Sequence, residues 1–336
     1  KAELCKSSIR QFESARRLKI LMVVVFGAGA IGGFIAGALA RSGVQVGVVA
    51  RGEHLKSIRQ NGLQIESVLG RFEARVWASS DLREFDDVAY VLLTFKSHQW
   101  HGVLPQFAKA IESGATIVTL QNGLPFWYER DRTLESVDPG GRIRAAIPYE
   151  QVIGGVVHTS GHVPQPGWIH QSGSMLYPIG ELDGSTSSRI TELSNLFERA
   201  GMHAPIEADI RRLVWRKLLG NLALNPISAL TRATVRSMLN DPQTRPILRA
   251  IIDEGLAVAR AAGIEVGMSA EERLTMIKHV EDVKTSMLQD LEAGKPLELE
   301  PICGAAIEIA HRYGVPVPHV ETVYALTKLL ASGVSS

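Results

Sequence analysis

The fold of this chain is decided by residues 20–40, which read ILMVVVFGAGAIGGFIAGALA. This uncharged run is long enough to cross a bilayer, and Gly29, Gly33 and Gly37 have the small-xxx-small spacing of packed membrane helices. The order of the residues is asymmetric, however, because a block of valines precedes GAGAIG and a segment of small residues follows it. That order predicts a strand, a tight turn and a helix, and it leaves a membrane span as the alternative.

The predicted turn has the glycine pattern of dinucleotide-binding proteins. Gly27 permits the sharp turn off the strand, Gly29 lets backbone approach a pyrophosphate, and Gly32 lets the helix pack on the strand. The N-terminus of the helix then faces the phosphates. We therefore predict that a dinucleotide cofactor is bound by Gly27, Ala28, Gly29, Ala30, Ile31 and Gly32.

The end of the next predicted strand, residues 44–50, indicates which cofactor is bound. NAD-selective sites usually carry Asp or Glu at this point, whereas this chain has Arg51, followed by His54 and Lys56. Because a basic side chain accommodates a 2′-phosphate, the sequence favours NADP. The alternative is a solvent-exposed, basic start of a helix.

Length and composition exclude several classes of protein. A chain of 336 residues exceeds the size at which one core keeps growing, so two domains are expected. A net charge of +1, without a basic stripe, gives no case for a nucleic-acid partner. Only Cys5 and Cys303 are present, so neither a disulfide framework nor a zinc site is indicated. We predict a cytoplasmic protein with no metal, no membrane partner and a small-molecule substrate, and we leave a homodimer open.

The predicted elements divide the chain into three parts. Residues 1–18 form a basic extension that imitates a signal peptide, although cleavage there would destroy the first strand. Residues 19–205 alternate strands and helices, which predicts an α/β domain with a Rossmann-type doubly wound sheet, completed by a mostly antiparallel region after residue 140. Residues 206–334 are predicted to be helical. A hairpin around Gly70, a helix near 99–111 and one periodic helical stretch over 271–291 are also predicted.

Two polar residues directly follow predicted buried strands. Lys96 comes just after the strand predicted over 88–94, and Asn122 follows the one predicted over 115–120. Ligands of doubly wound sheets bind at the carboxyl ends of the strands. The sequence therefore places Lys96 and Asn122 where a cofactor or substrate lies.

A polar stripe on an otherwise apolar helix carries the second chemical signal. Lys217, Asn221 and Asn225 recur every four residues, which places them on one helical face. Reduction of a ketone requires a proton donor, and a lysine fills that role when desolvation lowers its pKa towards neutrality. Asparagine is a poor helix former, so the stripe favours the polar wall of a cleft over a face that is merely exposed to solvent.

Further along, residues 286–300 cross a helix end and open the next helix. Acidic residues such as Glu298 and Glu300 ahead of a helix are usually capping or dipole partners. From the residues alone, nothing joins this segment to Lys217.

Five motifs occur in a fixed order: GAGAIG at 27–32, Lys96 with QNG at 121–123, K-x3-N-x3-NP at 217–226, SMLQD at 286–290 and GKPLELEPICG at 294–304. In this order they resemble the 2-dehydropantoate 2-reductase (ketopantoate reductase) family, from about residue 20 to residue 328. The resemblance implies a Rossmann-type domain followed by an all-α domain like the C-terminal domain of 6-phosphogluconate dehydrogenase. It also implies NADPH-dependent reduction of ketopantoate to pantoate for pantothenate and coenzyme A synthesis.

The same resemblance implies roles for the residues that match its motifs. Lys217 corresponds to the general acid, with Glu298 as its partner near the nicotinamide ribose and the substrate. Asn221 and Asn225 would hold the substrate hydroxyl, and Ser286 its carboxylate. The remaining matches lie where cofactor and substrate meet, and they are Asn122 and Lys96.

The chain departs from the family pattern at three points. Cys303 stands where the family usually has Asn, and the extension before Ile20 is unusual. The third departure is the bulky segment 125–128 after the QNG motif, whose aromatic residues are expected to reshape the pocket. A related NADP-dependent oxidoreductase acting on another 2-oxo acid is therefore one alternative. A non-catalytic NADPH sensor is an alternative of a different class, although a sensor needs no proton donor.

Overall fold

The computed structural model describes residues 22–278 and 282–333, so the predicted extension 1–18 lies outside the described residues. Its strands are β1 Met22–Phe26, β2 Gln45–Val49, β3 Leu63–Ser67, β4 Gly70–Ala74, β5 Trp77–Ser79, β6 Val88–Leu93, β7 Thr116–Thr119, β8 Val152–Gly155, β9 His158–Gln165, β10 Trp168–Leu176 and β11 Ile179–Glu181. Its α-helices are α1 Ala30–Arg41, α2 Gly52–Asn61, α3 Trp100–Val103, α4 Ala108–Glu112, α5 Arg142–Ala146, α6 Ser188–Arg199, α7 Ile210–Thr231, α8 Val235–Asn240, α9 Thr244–Ala261, α10 Ala270–Lys278, α11 Ser286–Glu292, α12 Ala305–Tyr313 and α13 Pro318–Ser332.

A seven-stranded sheet in the order β11-β8-β7-β6-β1-β2-β5 forms the centre of the N-terminal part. All neighbouring strands are parallel except β11, which runs antiparallel to β8. Strand order reverses at β1, which lies between β2 and β6. The predicted doubly wound α/β architecture is therefore confirmed, and the reversal point is where such sheets bind ligands.

The described part of the opening run, residues 22–40, is divided between strand β1 and helix α1, so these residues do not form one membrane-crossing helix. All five residues of β1 are buried, because both faces of a central parallel strand are covered. No helix within residues 22–278 and 282–333 has both the length and the apolar character that a bilayer span requires.

The two faces of the sheet belong to two different cores. Val23 and Val25 face a core shared with α1 and α6, whereas Val24 and Phe26 face a core that continues into the helical part. Alternating side chains of one strand thus anchor both layers. The C-terminal helices therefore pack on the sheet, and the boundary predicted at residues 205 and 206 stays a prediction.

The region predicted to complete the main sheet instead builds a second one. The predicted hairpin around Gly70 is present as β3 and β4, and these strands join β9 and β10 in the order β4-β3-β10-β9. Of the strands after residue 140, only β8 and β11 extend the main sheet. The prediction is therefore confirmed for β8 and β11 and wrong for β9 and β10, because alternation along a strand identifies the strand but not its neighbour.

Two helices predicted as continuous are interrupted. Pro105 lacks an N–H group, so the stretch predicted as a helix near 99–111 contains short α-helices and a 3-10 turn over Leu104–Phe107. The described residues of the stretch 271–291 belong to two helices, α10 up to Lys278 and α11 from Ser286, and residues 282–285 before α11 are not helical. The Thr285 hydroxyl accepts the Leu288 N–H and so starts a new helix. That break matters for function because it exposes the N-terminal end of α11.

Candidate active site

The glycine loop between β1 and α1 is shaped by contacts at two of its glycines. Gly27 has φ +106°, and a Cβ there would lie 2.8 Å from the Phe95 backbone nitrogen. A Cβ at Gly32 would lie 2.1 Å from the Gly27 carbonyl oxygen and 2.2 Å from Thr94 Oγ1. Gly29, in contrast, has no heavy atom within 4 Å of such a Cβ. The three glycines thus match the turn, packing and open-approach positions of a dinucleotide loop.

The N-terminus of α1 offers unpaired backbone donors beside this loop. Gly29 is the N-cap and makes no side-chain cap hydrogen bond, and the Gly33 N–H donates to the Gly29 carbonyl at 2.7 Å. The N–H groups of Ala30, Ile31 and Gly32 precede that first helical bond, so they are free for an anion. An open groove of about 390 Å³ adjoins the loop, lined by Gly29, His54, residues 163–166 and Lys295.

The basic residues after β2 differ in their availability. The His54 ring is engaged twice, because Nδ1 accepts the Gly167 N–H at 2.9 Å and Nε2 donates to the Ala28 carbonyl at 2.6 Å. Lys56 pairs with Glu53 at 2.5 Å. Arg51 is exposed, and its guanidinium has no partner among the described residues. His54 thus stabilises the glycine loop through its hydrogen bond to Ala28, and the guanidinium of Arg51 is available to bind a ligand.

A lysine, an amide and a carboxylate meet at the carboxyl edge of the sheet. Lys217 Nζ, on α7, donates to Asn122 Oδ1 at 2.6 Å. Asn122 Nδ2, just after β7, donates to Glu298 Oε2 at 3.3 Å. The amide therefore connects residues that lie 95 and 176 positions away from it in the chain.

Burial shifts the two charged members of this group towards neutrality. Burial of the ammonium lowers the pKa of Lys217 to about 8. The negative charge of Glu298 has the opposite, smaller effect and raises this pKa. Burial likewise raises the pKa of the Glu298 carboxyl, and the positive charge of Lys96 partly offsets this by lowering it. A lysine with a pKa near 8 can both hold and release a proton around neutral pH.

Family models cover most of the chain. The model described as "Ketopantoate reductase PanE/ApbA" matches residues 23–184, and "Ketopantoate reductase PanE/ApbA C terminal" matches residues 209–331. The chain belongs to the ketopantoate reductase family. The predicted family and the oxidoreductase class are thereby confirmed.

Individual relatives agree with this placement in the ketopantoate reductase family. A 2-dehydropantoate 2-reductase of Mesorhizobium japonicum is 37% identical over 320 residues, which cover 93% of this chain and 98% of the relative. The crystal structure of 2-dehydropantoate 2-reductase from Methylococcus capsulatus has a TM-score of 0.81 at 29% identity, covering 94% of this chain and 98% of that one. A D-mandelate dehydrogenase with bound NADH, 20% identical, shares the fold with a TM-score of 0.83.

In this ketopantoate reductase family member, the position of Asn122 is fixed by the turn that carries it. Gly123 has φ +81°, and a Cβ there would lie 2.3 Å from the Pro301 carbonyl oxygen. The Leu124 N–H donates to the same oxygen at 2.8 Å. Pro301 belongs to a π-helical turn, Glu300–Gly304, which begins two residues after Glu298. The turn thereby holds Asn122 beside Glu298.

A second ion pair bridges the sheet and the helical part. Lys96, at the end of β6, donates to the Asp290 carboxylate on α11. The Asp290 charge also raises the pKa of Glu298, as a smaller effect than burial. Sequence analysis placed Lys96 in the cleft but did not single out Asp290. The available signal was its helical spacing, because Asp290 follows Ser286 by one turn on α11.

The predicted hydroxyl and carboxylate ligands lie along α7 and at the start of α11. Asn225 is 3% exposed, and its Nδ2 has no hydrogen-bond partner within the described structure. Asn221 is half-buried one turn earlier. Ser286 is the exposed first residue of α11, and the preceding Thr285 hydroxyl bonds to Ser228 on α7. Helix α11 therefore starts beside the turn of α7 that follows Asn225.

The bulky segment after the QNG motif does not line the cleft. Phe126, Trp127 and Tyr128 are each at most 4% exposed. Trp127 Nε1 donates to Thr119 Oγ1 at 2.7 Å, and Trp215 Nε1 donates to the Tyr128 hydroxyl at 2.5 Å. The expectation that these side chains reshape the pocket directly is wrong, because they pack between β7 and α7.

Cys303 is also remote from solvent, and burial raises the pKa of its thiol. Its side chain is fully buried in the π-helical turn. Within residues 22–278 and 282–333, no cluster of three or more His, Cys, Asp or Glu side chains is arranged to hold a metal ion.

Proposed function

We propose that this protein reduces ketopantoate to pantoate with NADPH, in the synthesis of pantothenate and coenzyme A. The observation that carries the proposal is the Lys217–Asn122–Glu298 contact at the carboxyl edge of the sheet, the edge that also carries the glycine loop. It unites a lysine whose pKa is near 8 with the carboxyl edge where doubly wound sheets bind dinucleotides. The curated relatives named 2-dehydropantoate 2-reductase support the choice of substrate.

The loop and helix fit a pyrophosphate, because Gly29 leaves open space and the first N–H groups of α1 are unpaired. Gly27 and Gly32 shape the loop, while Ala28, Ala30 and Ile31 complete it. When bound, the nicotinamide supplies a hydride to the carbonyl carbon of the substrate. The cofactor's other proposed contacts are Arg51, Lys96, Asn122 and Glu298.

Lys217 is the proposed general acid. Its protonated ammonium donates a proton to the ketone oxygen as negative charge develops there. Asn122 accepts a hydrogen bond from Nζ and so orients it, and the carboxylate of Glu298 favours the protonated form. Asn221 and Asn225 would hold the substrate hydroxyl, and Ser286, at the start of α11, would bind its carboxylate.

A substrate screen tests the proposed reaction. Oxidation of NADPH should be followed with ketopantoate, pyruvate, 2-oxoisovalerate and oxaloacetate. We expect kcat/KM to be highest for ketopantoate. A higher kcat/KM for another 2-oxo acid would identify that acid as the substrate and leave the proposed class of reaction unchanged. Tight NADPH binding without turnover would instead indicate a sensor. The cytoplasmic location and the homodimer stay predictions.

The rate of ketone reduction should depend on the protonation of Lys217. Because the pKa of Lys217 is about 8 and the acid form is the active one, kcat/KM should fall at higher pH, by about tenfold per pH unit. The reverse oxidation needs the neutral amine, so its rate should rise over the same range. Steady-state kinetics between pH 6 and pH 10, in both directions, measures this. A flat forward profile would contradict the assignment.

The variant Glu298→Gln should shift this pH profile in a direction that the structure predicts. Removing the negative charge that raises the pKa of Lys217 should move the decline to lower pH. Glu265→Gln, on an exposed carboxylate with a side chain 81% exposed, is the matched control and should leave the profile unchanged. A decline that moves to higher pH would contradict the coupling.

The choice of NADPH should depend on Arg51. Replacing Arg51 by Ala removes the unpaired cation at the end of β2, and we expect the NADPH preference over NADH to fall by roughly 10- to 100-fold, as loss of a charge-assisted hydrogen bond predicts. Lys56→Ala, which removes a cation already paired with Glu53, is the control. If the ratio of kcat/KM with NADPH to kcat/KM with NADH were unchanged in the Arg51 variant, the assignment of NADP would be wrong.

A further inference from the structure

Arg273, on α10, is a cation that has no anionic partner within residues 22–278 and 282–333. Its Nε is buried and makes no hydrogen bond to any residue of these ranges. Its guanidinium lies on α7, because a Cβ at Gly220 would come 2.4 Å from its Nη2. Gly220 is the residue before Asn221 and lies one turn after Lys217. The guanidinium thus adjoins the proposed catalytic face of α7.

The surroundings of Arg273 are positive or neutral. Burial is what lowers the pKa of Arg273, and no carboxylate of the described residues acts on it. The pKa of His158 is lowered to about 4, first by desolvation and then by the charges of Lys217 and Arg273, so its ring is neutral at pH 7. Lys217 and Arg273 therefore both lie close enough to His158 for their charges to act on its ring. Glu298 offsets the charge of Lys217, whereas no carboxylate of the described residues offsets that of Arg273.

A half-buried guanidinium with free donors is costly unless an anion binds it. Its planar N–H groups match a carboxylate in a two-point contact, which an ammonium or a hydroxyl cannot make. Lys217 is assigned to the ketone oxygen and the two asparagines to the hydroxyl. The resemblance to the family gives the carboxylate to Ser286, but that exposed hydroxyl is neutral, so the charge of the carboxylate still requires a cation.

We propose that Arg273 binds the carboxylate of the 2-oxo acid and makes the enzyme select anionic over neutral ketones. The proposal rests on the proposed 2-oxo acid reduction and names the residue that sets its substrate class. Gly220 contributes to this arrangement, because a Cβ there would lie 2.4 Å from Nη2 of Arg273 and displace the guanidinium.

Kinetics with a charged and a neutral form of one ketone tests this. Ketopantoate and ketopantoyl lactone share the reacting ketone, but the lactone carries its carboxylate as an internal ester. Arg273→Gln should raise KM for ketopantoate by about 10- to 100-fold, change kcat by less than about threefold, and leave kcat/KM for the lactone nearly unchanged. Arg249→Gln, which removes an exposed arginine on α9, is the control for net charge. Equal losses on both substrates, or no loss on either, would overturn the proposal.

A second variant moves the guanidinium without removing it. Gly220→Ala adds a methyl group where Arg273 lies and should raise KM for ketopantoate in the same direction, with the charge intact. Alanine favours the helix more than glycine, so a folded protein is expected. An unchanged KM would contradict the placement of the guanidinium beside the substrate.

One outcome separates this proposal from the proposed reaction. If the wild-type protein reduces no 2-oxo acid, calorimetry with oxamate in the presence of NADP⁺ tests the anion site directly. Oxamate binding that Arg273→Gln abolishes would support the carboxylate site even though the reaction had failed. Equal binding to both proteins, or binding to neither, would overturn it.

Discussion

Replacing Lys217 by alanine is expected to lower kcat for ketone reduction by roughly 10²- to 10⁴-fold, the usual contribution of a general acid. The reason is that the proton for the developing alkoxide comes from Nζ, and Asn122, its neighbour at 2.6 Å, cannot replace it as an acid. NADPH oxidation at saturating ketopantoate and pH 7 measures the effect. A variant with full activity would show that another group donates the proton.

Lys217→Arg is the matched variant, because it keeps the positive charge but holds its proton too tightly to donate it. We expect it to be nearly as slow as the alanine variant. Thermal unfolding and NADPH binding, followed by fluorescence, should change little in both proteins. If Lys217→Arg restored most of the rate, the residue would act by charge alone.

The glycine loop should show the second large effect, and two of its glycines should respond differently. Gly32→Ala places a Cβ 2.1 Å from the Gly27 carbonyl oxygen, so backbone must move and the free energy of unfolding should fall by about 1–3 kcal/mol or more. Gly29 has φ −67°, and a Cβ there would meet no heavy atom within 4 Å. The free energy of unfolding of Gly29→Ala should therefore stay within about 0.5 kcal/mol of wild type. The Gly29 variant should instead weaken NADPH binding by about tenfold or more, because its methyl group stands where the pyrophosphate approaches.

Two measurements separate the effect on stability from the effect on cofactor binding. Urea unfolding in the absence of cofactor measures the first, and titration of the folded proteins with NADPH measures the second. Gly43→Ala is not a suitable control because its φ is +90°. Gly102→Ala is suitable, since a Cβ there meets nothing within 4 Å and its φ is not positive. Loss of stability in the Gly29 variant, or unchanged NADPH affinity, would contradict the loop's proposed role.

Local patterns predicted the parts of the structure that local physics controls. The block of valines, the glycine turn and the small residues after it form β1, the loop and α1 because each follows from backbone and packing rules within one segment. Likewise, the four-residue spacing of Lys217, Asn221 and Asn225 needed only the period of a helix. The family followed from motif order and is confirmed by the family models.

The errors have a common origin in contacts between distant segments. Strands β9 and β10 pair with the hairpin of β3 and β4, a choice that alternation along the chain does not encode. The aromatic residues 126–128 are hydrophobic whether they line a pocket or fill a core, and only the packing of α7 on the sheet buries them. The break before α11 depended on the single side-chain cap of Thr285.

The sequence by itself determined the dinucleotide loop, strand β2 shortly before Arg51 and the polar face of α7, because these depend on neighbours within a few residues. Only the tertiary structure decided that Asn122 connects Lys217 to Glu298 and that Asp290 pairs with Lys96. It also decided that Arg273 has no counter-ion among the described residues. The physical reason is that proximity across the chain and loss of hydration both arise from packing, and together they set the pKa of Lys217.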